Sequence, residues 1–592
     1  MAGQNQHAVV AEGQSRPVRA PASRSPRRRW IVTAGILLVA VAAPAIGLLT
    51  YGLYGPESPI VVSPETTLLT EPLAADGLPD YARHSLALAG RGTPPAANAA
   101  VPLLEAFWPM DLDEDDLAAV CSALDIERPG QPLVGFEGDN FFFDDEIRAG
   151  IESVLEAAGT GPLQAESVSD VIDTAAVYPW RSADLPSLAA WLTRNNDGLE
   201  LVVAASTRPR LFLPAPALVA GERGRLLFDT PPPLQPIRSG SRGLILRSMQ
   251  RLGDGRFADA WSDILAVHRL ARLAPKADAG SLIGHLMATA LSATACPATL
   301  RLLDAPGLPA DFRAAVCRDL ESLPPLPEPR HGIVTERLGM LDFMIHVCQM
   351  PREERAEVLS VLECKDPAVE RTFATSLDCN AVLATTVADY ARLDAALAHP
   401  SWAERQQALD RLGREVTAAV APPTGGFREG LHAFAMLSSR RGRSERIPRV
   451  FSSNWVPAVR AGDAAITRGQ AGFELTRIAA ALAAWRAGDA AGGYPERLDQ
   501  LVPRYVDRLP LDPFTDQPFR YERRADGYLL VSVGQDGRDD GGTDLVQPIV
   551  GGEWVSDWTP PEQATGTDIV VRLPMPASPV LARIRKAKAP GR

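Results

Sequence analysis

Residues 492–542 read GGYPERLDQLVPRYVDRLPLDPFTDQPFRYERRADGYLLVSVGQDGRDDGG, the most specific pattern in this 592-residue chain. They follow Gln470–Ala487, whose apolar spacing predicts an amphipathic helix. The Asp-Pro and Asp-Gln-Pro sequences predict turns, because aspartate side chains accept hydrogen bonds from nearby backbone amides. Two strands joined by a hairpin are predicted at Phe519–Glu522 and Tyr528–Val533. With a further apolar strand at Ile569–Leu573, the C-terminal part of the chain is expected to be α+β.

The rest of the chain is expected to be helical, so the predicted fold class is mainly α. Apolar residues in its middle recur at spacings of three and four, which is the pattern of helices packed on helices. In chain order the predicted segments are a disordered basic tail (1–29), a transmembrane helix (30–54), an irregular mixed region (56–235), an α-helical domain (236–420), a linker (421–464), a small α+β domain (465–575) and a disordered basic tail (576–592).

The run Trp30–Gly55 contains no charged residue. Spanning about 30 Å of hydrocarbon takes roughly 20 helical residues, so this run predicts a single-pass transmembrane helix. Arg27, Arg28 and Arg29 precede it, and basic residues favour the cytoplasmic side. The N-terminus is therefore predicted inside the cytoplasmic membrane and the bulk of the chain outside it. The alternative is a signal peptide cleaved at Ala43-Pro44-Ala45.

The charge of the chain is unevenly placed. The first 29 residues hold six arginines and one acid, and with −12 overall the remainder carries −17. Such an acidic body argues against nucleic-acid binding, which needs a positive surface. The chain has six cysteines, without a CxxC pair, and four of them fall between Cys317 and Cys379. An even number in an exported protein permits disulfides; buried free thiols are the alternative.

Residue types that carry catalysis form no recognisable arrangement. The sequence holds no HExxH, GxSxG, Walker or dinucleotide-binding motif. Asp342 and His346 lie four residues apart on a predicted helix and are interpreted as a surface pair. A cluster of arginines in the predicted linker is interpreted as a solvated segment, with an acidic partner or a lipid headgroup as the alternative. Its members are Arg440, Arg441, Arg443, Arg446 and Arg449.

Several short motifs of the C-terminal segment occur in a characteristic order. They are Gly493-Tyr494-Pro495, Leu511-Asp512-Pro513-Phe514, Pro518-Phe519-Arg520-Tyr521, Gly527-Tyr528 and Ser532-Val533-Gly534-Gln535-Asp536-Gly537. Together they resemble the C-terminal domain of the major pseudopilin of type II secretion systems, over residues 475–573. In pseudopilins the membrane helix leads directly into this domain, so assembly into a pseudopilus is not expected here. The segments 65–73, 76–81 and 97–107 also resemble the openings of membrane-anchored bacterial proteins that end in this module.

The resemblance implies a calcium ion, because major pseudopilins bind calcium in the loop after the last strand. Asp536 occupies the matching turn, and the later aspartate of the family corresponds to Asp544 or to Asp568. Asp539 and Asp540 lie between them. Calcium takes six to eight oxygen ligands from carboxylates and carbonyls, so these five aspartates are the predicted metal ligands. The alternative is a solvated acidic turn.

These expectations combine into one functional prediction. The chain is predicted to be a membrane-anchored, extracytoplasmic, non-enzymatic protein that acts by contacts with envelope or secretion-system proteins. One alternative is a cell-envelope enzyme with its site in the helical middle, which a deep cleft with convergent histidines and carboxylates would favour. The other is a module that binds an envelope polymer or lipid through the arginine cluster.

Overall fold

The computed structural model describes residues 26–107, 113–130, 133–134, 145–157, 168–227, 234–276, 280–355, 375–421, 439–488, 493–541 and 568–588. The structure is 65% helix and 6% strand, with the strands near the C-terminus. The mainly α prediction and the small C-terminal sheet are therefore confirmed.

The helices of the described residues are α1 (Pro26–Tyr54), α2 (Tyr81–Ala89), α3 (Ala100–Ala106), α4 (Glu114–Leu124), α5 (Asp145–Ala157), α6 (Val168–Val177), α7 (Pro186–Arg194), α8 (Asn196–Ser206), α9 (Pro216–Ala220), α10 (Leu234–Gly253), α11 (Phe257–Leu273), α12 (Leu282–Leu303), α13 (Ala310–Glu321), α14 (Val334–Gln349), α15 (Cys379–Leu397), α16 (Trp402–Val420), α17 (Arg440–Gly488) and α18 (Pro579–Lys588).

Side-chain caps fix where several helices begin. Asp113 accepts hydrogen bonds from the first amides of α4, Ser281 caps α12 and Asp378 caps α15. Each cap satisfies an amide that has no partner within the helix. Between α7 and α8 the helical chain breaks at Asn195, whose side chain donates to the carbonyl of Trp191 at 2.9 Å. Such local bonding competes with the helical pattern.

The buried side chains form two hydrophobic cores. The first core combines residues of α3–α8 and α10–α13 with residues of the C-terminal sheet. The second core is built mainly from α14, α15 and α16. The long helix α17 belongs to both, because Ile447 and Phe451 lie in the second core, and Phe473 and Leu482 in the first.

The linker predicted at 421–464 is wrong from Arg440 onward. This part is the first half of α17, a 49-residue helix that includes Pro448 and Pro457. Proline removes a helical hydrogen bond and usually bends or ends a helix. Here packing against α12, α15 and α16 holds the helix together. The predicted boundary at 465 therefore falls inside one continuous helix, and residues 422–438 lie outside the described part of the chain.

The C-terminal sheet follows the predicted strand order. Strands β1 (Leu511–Asp512) and β2 (Gln517–Pro518) form a short antiparallel pair. A second antiparallel sheet has the order β3 (Arg520–Arg523), β4 (Tyr528–Ser532), β5 (Ile569–Leu573). It packs against the last turns of α17. Gly527, in the predicted hairpin, has no room for a side chain, because a Cβ atom there would lie 1.7 Å from the carbonyl oxygen of Leu573.

The disordered tail predicted at 576–592 is also wrong over the described residues. Helix α18 places Leu581 and Ile584 in the first core, and its basic side chains find partners near α7. Arg585 lies 2.8 Å from the carboxylate of Asp184, and Lys588 donates to the Ala183 carbonyl at 2.7 Å. The apolar residues of this segment recur at helical spacing, and their burial favours a packed helix although the segment is basic. Residues 589–592 lie outside the described range.

Among the residues that the structure describes, two helices are long and apolar enough to cross a membrane. The window Ile36–Tyr54 of α1 has a mean hydropathy of 2.2 and none of it is buried, whereas α12 is 61% buried and serves as a core helix. The exposed apolar helix near the N-terminus is compatible with a membrane anchor. Residues 26–29 of the predicted basic tail belong to α1, and residues 1–25 lie outside the described chain.

Candidate functional site

The last carbonyl groups of α1 accept hydrogen bonds from the folded body. The final four carbonyls of a helix have no partner within the helix. The Gly52 carbonyl accepts from Arg443 Nη2 at 2.5 Å, and the Leu53 carbonyl accepts from the amide of Ser376 at 2.7 Å. Both donors come from segments that are distant in sequence. The end of α1 is therefore part of the folded body.

Arg352 and Arg440 satisfy the carbonyls that follow. The guanidinium of Arg352 donates to the carbonyls of Tyr54 at 3.2 Å and Gly55 at 2.5 Å. Arg440, the first residue of α17, donates to the carbonyl of Pro56 at 2.6 Å. Five consecutive carbonyls at the end of α1 thus accept hydrogen bonds from the body.

The carboxylate of Glu57 lies among these arginines. It accepts from Arg355 Nη2 at 3.1 Å and from Arg352 Nε at 3.4 Å. It also accepts from the backbone amide of Leu377 and lies 3.7 Å from Arg440 Nη2. One carboxylate therefore faces three guanidinium groups. We call this arrangement the helix-exit joint; its residues are Gly52–Glu57, Arg352, Arg355, Ser376, Leu377, Arg440 and Arg443.

The predicted arginine cluster is therefore not a solvated segment. Arg440 and Arg443 belong to the helix-exit joint, and burial lowers the pKa of Arg443. Arg446 donates to the Val420 carbonyl at 2.5 Å. Arg441 and Arg449 pair with Glu445 across one helical turn. Only Arg441 among the five has a side chain more than half exposed, at 77%.

Sequence reasoning missed the partners of these arginines. Glu57 and Arg352 were not singled out, and they are 295 residues apart along the chain. One signal was available: Ile447 and Phe451 follow the arginines at a spacing of four, which predicts a buried helix face. A buried face at this position would have predicted that the neighbouring arginines contact the rest of the protein and not solvent.

The structure describes four of the five predicted calcium ligands. Asp536 and Asp539 are exposed in the turn after β4, Asp540 is half-buried beside them, and Asp568 is buried at the start of β5. Asp544 lies outside the described residues. Within the described chain, no group of three or more histidine, cysteine, aspartate or glutamate side chains is placed to hold a metal ion.

Two contacts define the acidic turn. Both carboxylate oxygens of Asp539 lie 2.6 Å from Arg520 Nη1 on β3. Asp536 Oδ1 accepts from the backbone amide of Arg538 at 3.0 Å. A guanidinium therefore binds the carboxylate of Asp539, one of the predicted calcium ligands. Spacing along the sequence could not predict this contact, because Arg520 precedes Asp539 by 19 residues on another element.

Asp512 belongs to the motif Leu511-Asp512-Pro513-Phe514 and has a structural role. The sequence alone did not indicate that role. Its carboxylate accepts from the amide of Phe514 at 3.0 Å and from the amide of Val533 at 3.1 Å. These bonds tie the β1–β2 turn to the end of β4. Burial raises the pKa of Asp512.

Asp342 and His346 are not a surface pair. Asp342 is buried, accepts from the Gly224 amide at 2.6 Å and lies 3.8 Å from Arg223 Nη1. Burial raises the pKa of Asp342 to about 6 and lowers that of the half-buried His346. His346 packs against Gly224, where a Cβ atom would lie 2.7 Å from the ring. The sequence pattern placed the two on one helix but could not show the covering loop.

The raised pKa of Asp342 predicts a pH-dependent stability. Between pH 3.8 and about 6 the folded chain keeps a proton that the unfolded chain has lost, so stability falls as pH rises through this window. The full effect is about 3 kcal/mol. Asp342→Asn is expected to remove this fall, measured by thermal unfolding from pH 4 to pH 7. Asp311→Asn, on the exposed face of α13, is the control, and an unchanged pH slope in Asp342→Asn would contradict the prediction.

The comparisons with known proteins add no relatives. No protein-family model, no curated protein and no solved structure matches this chain.

Proposed function

We propose that this protein is a single-pass, membrane-anchored protein whose acidic body lies outside the cytoplasm. It acts as a non-enzymatic partner of envelope or secretion-system proteins. The observation that supports this proposal is the helix-exit joint. An exposed apolar helix ends at a point where five carbonyls and one carboxylate are bound by side chains and amides of the body.

The joint suits a helix that leaves a bilayer. Backbone groups cannot find water inside hydrocarbon, so a helix end near the membrane surface needs other donors. Arginine supplies several donors in a planar fork and keeps its charge. The arginines of the joint donate hydrogen bonds to the carbonyls where α1 meets the body. These bonds hold the anchor and the body in one orientation. A fixed orientation is what a protein needs to present a binding surface at the membrane.

Protease accessibility tests the topology. Protease added to intact spheroplasts that hold the full chain is expected to digest the body, while a cytoplasmic marker protein stays intact. A body that is cut only after the membrane is permeabilised would overturn the proposal. Mass spectrometry of the membrane fraction tests the anchor independently. Loss of the first 45 residues would show cleavage after Ala45 and would replace the anchor by a signal peptide.

We further propose, on the pseudopilin resemblance, that the acidic turn binds calcium. The glycines Gly537 and Gly541, at φ of 67° and 73°, let the backbone wrap there. Calorimetry on the full chain in detergent is expected to show a dissociation constant in the range of about 10⁻⁴–10⁻³ M, as in extracellular modules. Asp536→Asn is expected to weaken binding, and Asp526→Asn in the hairpin is the matched control.

A variant of Arg520 provides a second test of calcium binding. Because Arg520 holds both oxygens of Asp539, calcium has to displace it before Asp539 can act as a ligand. Arg520→Gln is therefore expected to tighten calcium binding. Absence of both heat and added thermal stability at about 5 mM calcium, in the wild-type chain and in this variant, would rule the site out.

A further inference from the structure

Two cysteines meet where α14 approaches α15. Cys348 lies in the last turn of α14 and Cys379 is the first residue of α15, and both are buried in the second core. The two thiol side chains lie near enough to interact, at the contact between α14 and α15. Both are free thiols in the structure, and a disulfide between them requires Cβ atoms about 3.5–4.5 Å apart.

The other described cysteines have different neighbours. Cys296 contacts the hydroxyl of Ser292 at 3.6 Å, and Cys317 donates to the carbonyl of Tyr505 at 3.4 Å. Cys121 is buried on α4. Within the described chain, the contact between α14 and α15 is thus the place where two thiols are neighbours.

We infer that Cys348 and Cys379 form a disulfide bond in the mature protein. The inference rests on the proposed location outside the cytoplasm, because disulfides form and persist in oxidising compartments. The two thiols lose two protons and two electrons as the S–S bond forms. A dithiol-oxidising protein or a small disulfide takes the electrons, its own disulfide is reduced to two thiols, and the exchange passes through a mixed disulfide.

The bond would lie directly beside the helix-exit joint. The amide of Cys379 donates to the hydroxyl of Ser58 at 3.1 Å, and Arg355 contacts the carbonyl of Cys348 at 3.4 Å. The guanidinium of Arg355 also binds Glu57. A bridge between the two cysteines therefore links the two segments that hold the residues just after α1, and it would keep the joint closed when other contacts loosen.

The chemistry of the buried pair sets when the bond forms. The hydrogen bond with Cys379, together with burial, raises the pKa of Cys348 well above its usual range. The thiolate is the attacking species in disulfide exchange. The folded thiols therefore react slowly, and the bond forms while the chain is folding. Once formed, it is shielded from reductants in the native protein.

Peptide mapping tests the bond. The full chain is isolated from cell envelopes, unfolded in the presence of iodoacetamide without reductant, and digested. The expected result is one peptide pair that joins Cys348 to Cys379, with Cys121, Cys296 and Cys317 alkylated. Free alkylated Cys348 and Cys379 in exported protein would overturn the inference. A peptide that joins either of them to Cys364, which lies outside the described residues, would also overturn it.

Stability gives a second measurement. Reductant present during unfolding is expected to lower the melting temperature of the wild-type chain by about 3 °C. The double variant Cys348→Ala/Cys379→Ala is expected to show no shift with reductant. Cys296→Ala, which removes another buried thiol, is expected to keep the wild-type shift. A shift that persists in the double variant would contradict the assignment.

Failure of the location and failure of the pairing are distinguishable. A body that is accessible to protease in spheroplasts but carries free thiols keeps the proposed function and overturns the disulfide. A protected body with free thiols overturns the proposed location. In that case, reduced protein is refolded with oxidised glutathione: the joined peptide supports the pairing, and its absence overturns the pairing as well.

Discussion

Glu57→Ala is expected to lower the free energy of unfolding by about 3–5 kcal/mol, the usual effect of removing one partner from a buried ion pair. The loss leaves the guanidinium of Arg355, with a side chain only 2% exposed, without its carboxylate. Arg352 and the backbone amide of Leu377 lose the same acceptor. Chemical denaturation in detergent would measure the change.

Two controls accompany this variant. Glu57→Gln keeps the shape and a hydrogen-bond acceptor but removes the charge, so we expect a smaller loss of stability. Glu105→Ala, on the exposed face of α3, is expected to change stability by less than about 0.5 kcal/mol. Glu57→Ala should also speed proteolytic cutting between α1 and the body. A loss below about 1 kcal/mol with unchanged cutting would mean that the joint is not a structural contact.

A similarly large effect is expected for Asp263→Ala in the first core. The Asp263 side chain is 0% exposed and that of Arg247 is 3% exposed. Arg247 binds it through Nη2 at 2.7 Å and Nε at 3.1 Å, and Arg251 binds it through Nη1 at 2.8 Å. Removing the carboxylate leaves Arg247 charged and buried, at an expected loss of about 3–5 kcal/mol.

The matched control lies one helical turn away. Asp259, also on α11, is exposed and sits 3.8 Å from Arg256, so Asp259→Ala is expected to cost less than about 0.5 kcal/mol. In a double-mutant cycle, Asp263→Ala and Arg247→Ala are expected to be strongly non-additive, because each removes the same contact. Additive effects, measured by chemical denaturation, would show that the pair does not stabilise the core.

Local sequence patterns predicted those helices and strands whose signals lie within a few residues of one another. The sequence predicted β5 with the bounds that the structure has, because apolar spacing and turn residues are local. It failed at α17, where prolines and arginines suggested a linker and packing against α12 and α16 decided otherwise.

The candidate site was harder to predict for the same physical reason. The helix-exit joint is made of contacts between segments far apart in sequence, and no local rule pairs Glu57 with Arg352. The acidic turn was predicted from a resemblance, which named Asp539 but could not show that Arg520 binds it. Asp342 was placed correctly on its helix, yet its burial depends on the loop that carries Gly224.

Helix α17 begins at the helix-exit joint and ends against the C-terminal sheet. Its 49 residues give a path of about 70 Å at 1.5 Å per residue, somewhat less in a straight line because of its two prolines. A tilt of α17 by about 10° at the membrane exit would therefore displace its far end by about 12 Å. On the proposed topology, the stiffness of a few arginine contacts thus governs how accurately the C-terminal module is positioned above the lipid surface.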